Sequence, residues 1–123
     1  MEQEKKLTII LGASANPSRY SFLALNRLLQ HGHKVLPIGL RETEVAGVKI
    51  VNQPPQVNEV DTITLYLNPM RQKQYYSYIL GVNPRRIIFN PGTENMELQK
   101  LAKAQGIQSI EGCTLVMLAT GEY

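Results

Sequence analysis

Along the chain, short β-rich apolar runs alternate with longer stretches whose apolar residues recur at helical spacing. Leu7-Thr8-Ile9-Ile10-Leu11, Lys34-Val35-Leu36-Pro37-Ile38, Thr62-Ile63-Thr64-Leu65-Tyr66-Leu67, Arg86-Ile87-Ile88-Phe89 and Ile107-Gln108-Ser109-Ile110 read as strands. Most are continuous rather than alternating runs, the pattern of strands covered on both faces. Between them Phe22, Leu25, Leu28 and Leu29 make one helical stripe, Tyr76, Ile79 and Leu80 a second, and Leu98, Leu101 and Ala102 a third. Gly32 and Gly106 stand where helix C-caps are wanted. The third stripe opens with Glu94 and Glu97 and closes with Lys100 and Lys103, matching the helix dipole, with Asn95 or Thr93 as its N-cap.

Four of the seven prolines follow asparagine, at Asn16-Pro17, Asn68-Pro69, Asn83-Pro84 and Asn90-Pro91. An Asn N-cap with Pro in the first turn favours a helix start, because proline's missing N–H would be unpaired there anyway. Three of these pairs follow the strand ends at Leu11, Leu67 and Phe89, so they mark one edge of a sheet. Residues 42–60 carry Gly47, Pro54 and Pro55, show no helical stripe and offer only Val48-Lys49-Ile50 as a short strand. The alternation predicts an α/β chain: a Rossmann-like three-layer sandwich with a mainly parallel sheet of about five strands and right-handed crossovers. The crossover between strands two and three is reduced.

Length and composition narrow the class further. The 123 residues suit one domain, 1–123, with room for a core but not for a second catalytic unit. A lone Cys113 excludes an internal disulfide framework or a multi-cysteine zinc site, and it fits a reducing, cytoplasmic setting. Residues 1–6 mix charges and lead into too short an apolar run for a signal peptide or membrane span. Thirteen Lys and Arg against ten Asp and Glu give a formal charge of +3, with the basic residues scattered. Neither nucleic acid nor a membrane is expected as partner, and an anionic ligand should be small.

In open parallel sheets ligands bind beyond the carboxyl ends of the strands, where the strand order reverses. The loops there are Gly12-Ala13-Ser14-Ala15-Asn16-Pro17-Ser18-Arg19-Tyr20-Ser21, then Gly39-Leu40-Arg41, Asn68-Pro69 and Asn90-Pro91-Gly92-Thr93. A 3-2-1-4-5 order would set the first and last of these loops on one crevice. Gly12 allows a tight turn, the helix behind it points its N-terminus at the crevice, and Ser14, Arg19 and Ser21 can donate to phosphate oxygens. Ser14 and Pro17 stand where a full dinucleotide fingerprint has its second and third glycines, so the loop reads equally as a phosphate site or as a tight turn with solvated Ser and Arg. The second strand ends without the Asp or Glu of an NAD site, and Arg41 suits a phosphorylated ribose or a solvated pair with Glu42 or Glu44.

Other chemistry is thin. His31 and His33 flank Gly32 at a helix end, on the opposite sheet edge from the crevice, without the carboxylates of a metal site. Cys113 reads first as a small buried apolar residue, and second as a thiol activated at a helix start. Among Tyr75, Tyr76 and Tyr78 one face is core, and exposed rings would serve a subunit contact or a stacking platform. Arg85 and Arg86 cap a solvated strand start.

At Gly12-Ala13-Ser14, with Asn16-Pro17, Arg19 and Ser21 behind it, the sequence resembles the small stand-alone CoA-binding domain proteins, relatives of the CoA-binding domain of succinyl-CoA synthetase and acyl-CoA synthetases. The resemblance continues through His31-Gly32-His33-Lys34-Val35-Leu36-Pro37-Ile38, Val60-Asp61-Thr62-Ile63 and Ala104-Gln105-Gly106-Ile107 to Cys113. It implies coenzyme A or an acyl-CoA as ligand, with the pyrophosphate at Gly12, Ser14, Arg19 and Ser21 and the 3′-phospho-ADP near Ile38, Gly39 and Arg41. The family's Pro-Val-Asn-Pro-Lys stretch is matched by Pro37-Ile38-Gly39-Leu40-Arg41, which keeps the first proline and a basic last position. Its Gln-x-Gly is matched by Asn90-Pro91-Gly92, with Asn in place of Gln as a polar contact, and its Asp-Arg-Cys by Glu111-Gly112-Cys113. Ala13, Tyr20 and Asn68 complete the set of candidate ligand residues. The resemblance implies binding without autonomous catalysis, as a sensor, carrier or accessory subunit, alone, as a homodimer or with another protein. Two other readings stand beside it: a small NADP-binding oxidoreductase or redox sensor, and a protein-interaction module with a vestigial crevice.

Overall fold

The computed structural model describes residues 6–123. The mixed-charge opening, read as neither leader nor membrane segment, lies outside them for residues 1–5. Seven strands and five α-helices follow in the order β1 (Leu7–Ala13), α1 (Tyr20–Gln30), β2 (Lys34–Gly39), β3 (Thr43–Val45), β4 (Val48–Ile50), β5 (Thr62–Leu65), α2 (Pro69–Gln72), α3 (Tyr76–Val82), β6 (Arg86–Phe89), α4 (Met96–Ala104), β7 (Gln108–Glu111) and α5 (Thr114–Thr120). A single 3-10 turn, Lys73–Tyr75, joins α2 to α3. No helix among the described residues is long and apolar enough to cross a membrane.

Five strands form one parallel sheet in the order β2-β1-β5-β6-β7. Ile9, Leu11, Ile63, Leu65, Ile87 and Phe89 point to one face and pack with Ile79 of α3 and Leu98 and Ala102 of α4. Ile10 points to the other face, against Leu25 and Leu28 of α1 and Leu118 of α5. Burial on both faces is why the strands read as unbroken apolar runs. Residues 40–61 hold the β3–β4 hairpin and no helix, so the crossover from β2 to β5 is reduced as the sequence implied.

That hairpin also corrects the expected strand order. Val51, just past β4, makes a parallel bridge with Ile38, exchanging Gly39 N–H to Val51 O at 2.9 Å and Val51 N–H to Pro37 O at 3.1 Å. The chain leaving the hairpin thus takes the outer side of the carboxyl end of β2, and the third main strand, β5, pairs with β1 instead. Reversal of strand order falls between β1 and β5, not between β1 and β6.

The asparagines before proline divide their labour. Asn68 caps α2 with Pro69 in the first turn, accepting from Arg71 N at 2.9 Å, just as Asn95, which precedes Met96, caps α4 by accepting from Leu98 N at 3.1 Å. Asn83 instead ends α3 in the left-handed conformation, φ 52°. Asn16 closes a turn, its Oδ1 accepting from Ser18 N at 3.0 Å, and α1 begins only at Tyr20. Gly32 and Gly106 close α1 and α4, and the residue after each donates its N–H back to Leu28 O or Ala102 O at 3.0 Å.

At the amino edge of the sheet the expected solvated Arg85-Arg86 pair is only half right. Arg85 is exposed, and its Nε reaches Asp61 Oδ1 at 2.8 Å. Arg86 has 5% of its side chain exposed; it donates from Nε to Thr62 Oγ1 at 2.7 Å and from Nη2 to Tyr123 O at 3.0 Å, and lies 4.5 Å from the Tyr123 ring centre. Such a charge is held inside by its partners and by the aromatic face. The tyrosines of the α3 region are likewise half-buried against the core rather than exposed, with Tyr78 donating to Pro55 O at 2.8 Å and Tyr76 accepting from Asn95 Nδ2 at 2.8 Å.

Candidate functional site

The crevice at the carboxyl edge lies between the ends of β1 and β5, with the end of β2 on its far side. Three strand ends converge there closely enough to require glycine twice. A Cβ on Gly12, which has φ 99°, would stand 2.9 Å from the Tyr66 carbonyl carbon, and one on Gly39 would stand 2.3 Å from Ala13 O. Both contacts are with backbone, so no side-chain rotamer relieves them. Tyr66 N–H donates to Leu11 O at 2.8 Å, fixing the β5 end beside the turn. The glycines thus serve strand convergence, and the turn that follows carries the polar groups outward.

In that turn Ser14 Oγ accepts from Asn16 N at 3.0 Å, Asn16 O accepts from Arg19 N at 3.0 Å, and residues 15–20 are exposed. Arg19 is the N-cap residue of α1, and its side chain caps nothing. Asn68 and Asn95 cap α2 and α4, and the first N–H of α5 donates to Asn90 Oδ1 at 2.9 Å. At the start of the eleven-residue α1, Phe22 N–H and Leu23 N–H donate to Arg19 O at 3.1 and 3.3 Å, and no side chain among the described residues caps the helix, which leaves the Tyr20 and Ser21 N–H groups to suit an anion. Ser21 lies in that first turn with 4% of its surface exposed.

Around this point stand Arg19, Arg41 and Arg71, all exposed and without an ion pair among the described residues. Arg41 does not pair with Glu42 or Glu44. Tyr20, Leu40 and Met70, at 71%, 71% and 81% exposure, offer apolar surface on the same edge. The segments 12–21, 39–41 and 66–71 contain no histidine and no carboxylate. Tyr66 does not supply a base either: its hydroxyl is sealed beside the Thr64 and Thr114 hydroxyls, short of hydrogen-bond geometry, and burial pushes it up to about 12. The arrangement offers donors and positive charge to a ligand.

The remaining sequence candidates fall outside this crevice or serve the scaffold. Ile38 is fully buried in the core and Ala13 ends β1 with 8% exposure. The loop after β6 is one strand further from β1 than the sequence implied. There Asn90 is 2% exposed and its amide is consumed internally: Nδ2 donates to Thr64 Oγ1 at 2.7 Å and Leu65 O at 2.8 Å, while Oδ1 accepts from Thr114 N. Its side chain clamps β5, β6 and α5 and has no donor left for a ligand, contrary to the polar contact expected of it. Pro91 and Gly92 are exposed, and Gly92 N–H donates to Glu94 Oε1 at 2.9 Å. Asn68 sits on the crevice rim as a helix cap. Cys113 is half-buried at the N-cap of α5 instead of lying in the core.

Two relevant residues escaped the sequence reading. Arg71 stands three positions beyond Asn68 and could have been found as a basic residue in a helix start at the marked edge. Buried Gln72 donates from Nε2 to Leu67 O and Thr93 O at 2.8 Å and accepts from Asn95 Nδ2 at 2.9 Å, tying the β5 and β6 loops together. Nothing in its spacing marked it out.

An open parallel sheet with both faces covered and a helix starting at its switch point is the Rossmann-like α/β arrangement. Residues 6–119 match the family described as CoA binding domain, and the chain belongs to that family. A solved structure of an uncharacterised protein is 48% identical, with a TM-score of 0.95, covering 98% of this chain and all of the other. A hypothetical protein from Pyrococcus horikoshii OT3 shares the fold at 24% identity and a TM-score of 0.83, over 94% of this chain and 82% of its own. A dinucleotide-forming acetyl-coenzyme A synthetase from Ca. Korarchaeum cryptofilum shares it at 19% identity and 0.72, over 87% of this chain but 26% of that one. No curated protein matches.

Proposed function

We propose that the protein is a single-domain binder of coenzyme A or an acyl-CoA, acting in the cytoplasm as a sensor, carrier or accessory subunit without catalysis of its own. The observation that carries this reading is the open N-terminus of α1 at the β1–β5 switch, flanked by Arg19. The pyrophosphate would take the Tyr20 and Ser21 N–H groups of α1, the Ser14 region and the Arg19 guanidinium, a planar donor suited to phosphate oxygens. Arg41, beyond Gly39, would meet the phosphorylated ribose. Family membership and the likeness to an acetyl-CoA synthetase domain support coenzyme A over other nucleotides. The absence of a carboxylate in 39–41 disfavours an unphosphorylated ribose.

Calorimetric and thermal-shift titration with CoA, acetyl-CoA, 3′,5′-ADP, NADP and NAD tests the reading. Ligand at a hundredfold over Kd stabilises by about 2.7 kcal/mol. No shift at saturating CoA overturns the assignment, and a response to NADP in place of CoA moves it to the other phosphorylated nucleotide. Arg19→Ala should weaken CoA at least tenfold while leaving the free protein's unfolding unchanged, because the side chain makes no contact that the fold uses. Unchanged affinity would relocate the pyrophosphate.

A further inference from the structure

The two outer strands of the sheet are treated differently. Val51, just past the hairpin, pairs with the carboxyl end of β2, whereas among the described residues nothing pairs with the outer side of β7. Gln108 and Gly112 donate inward to Arg85 O and Phe89 O, at 3.2 and 3.1 Å. Alternation along a parallel ladder then turns the backbone N–H and C=O of Ser109 and Glu111 outward. Ser109 is level with Ile87, on the face covered by α4, and Ile110 is level with Ile88, on the opposite face. Beside this edge runs a groove of about 370 Å³ lined by Met96, Lys100, Lys103 and Ser109, among others. The Ser109 hydroxyl is buried at the groove and has no hydrogen-bond partner.

We propose that β7 pairs antiparallel with β7 of a second copy of this chain, about a two-fold axis at Ile110. An isologous pairing of this kind is self-complementary only if each outward residue meets a suitable opposite. In this register Ser109 and Glu111 of the second copy form the closely spaced pair and exchange both N–H···O bonds. Glu111 lies on the same face as Ser109, two residues on, and its carboxylate is held toward α4 by Gln99 Nε2 at 2.8 Å. In this register Glu111 of the second copy stands opposite Ser109, and on leaving its own Gln99 its carboxylate reaches the groove where Lys100 and Lys103 lie and gives the orphaned hydroxyl an acceptor. On the other face the two Ile110 side chains meet. Shifting the register by one residue would set Ser109 and Glu111 opposite residues whose N–H and C=O are already bonded to β6, and lose all three matches. The pairing is independent of the coenzyme A reading.

Sedimentation velocity over a range of concentrations, with the full chain and no added ligand, tests it. The wild type is expected to show a monomer–dimer equilibrium, and amide exchange at Ser109 and Glu111 should slow as dimer forms. Glu111→Lys should abolish the dimer, and so should Lys100→Glu with Lys103→Glu. Combining all three substitutions should restore it, since the charges are then exchanged. Circular dichroism establishes that each variant is folded, as expected for exposed side chains. A monomer at every concentration overturns the proposal. A dimer that survives the single-sign variants, or is not rescued by the combination, overturns it too.

Discussion

Asn90→Ala separates a scaffold residue from a ligand residue at the position where sequence pattern favoured the ligand. Three hydrogen bonds of 2.7 to 2.9 Å run from this amide to β5 and to the start of α5, in a site with 2% exposure. Each is worth about 1 kcal/mol net, and removal also leaves the Thr114 N–H buried without an acceptor, so the loss should reach about 3 to 4 kcal/mol. For a chain of this length that is a fall in Tm of about 12 °C. Urea unfolding followed by circular dichroism measures it against the wild type. Because Thr64 Oγ1 contacts both Asn90 Nδ2 and Thr114 Oγ1 at 2.7 Å, Thr64→Val and Asn90→Ala should be non-additive by about 1 kcal/mol. A loss below about 1 kcal/mol, or a stable variant whose only defect is CoA affinity, would refute the clamp and return Asn90 to the ligand.

Two further perturbations probe other parts of the molecule. Gly39→Ala places a Cβ against Ala13 O and should cost about 3 kcal/mol while also weakening CoA, since the ends of β1 and β2 must part; a variant matching the wild type in melting and titration would contradict the convergence. Burial, then the Lys6 charge, lowers the His33 pKa below 6.5, and its neutral Nδ1 accepts from Lys6 N at 3.0 Å. The unfolded chain therefore binds the proton first, and stability should fall as pH drops from 6.5 toward the folded-state value; His33→Gln should remove that slope, and a pH profile unchanged by the substitution would show that another group produces it.

Apolar periodicity carried the five strands of the sheet, the stripes of α1, α3 and α4, and the missing crossover helix, because each depends on which residues leave water; α2 and α5 went unmarked by it. Strand order did not follow from it. Whether β5 lies beside β2 or beside β1 is decided by a hairpin whose contact with β2 rests on backbone groups of Gly39 and Val51, and backbone pairing leaves little mark on composition. The Asn-Pro pairs show the same limit. All four predict a break in the chain, and all four mark one, but Asn68 alone caps a helix whose first residue is its own proline. Asn90 faces inward because Thr64, Leu65 and Thr114 surround it, three partners brought together from distant positions. Arg86 was misread for a similar reason, since Thr62 and Tyr123 are remote in sequence. Local rules located the edge of the sheet; long-range partners decided which polar residues remain available there.

Availability is what distinguishes the two edges. At the amino edge Asp61 engages both arginines, Arg86 stacks on Tyr123, and Thr62 donates to Asp61 Oδ2 at 2.6 Å, so little charge is left to act on a ligand. At the carboxyl edge Arg19, Arg41 and Arg71 have no such partners among the described residues. Exposed cations are screened over about 8 Å at physiological salt, so they cannot hold a ligand by field alone. The proposed site would then combine direct guanidinium contact with N–H groups of α1, and Arg19→Lys, which keeps the charge but loses the planar fork, should fall well short of wild-type affinity. If charge alone sufficed, lysine would serve as well.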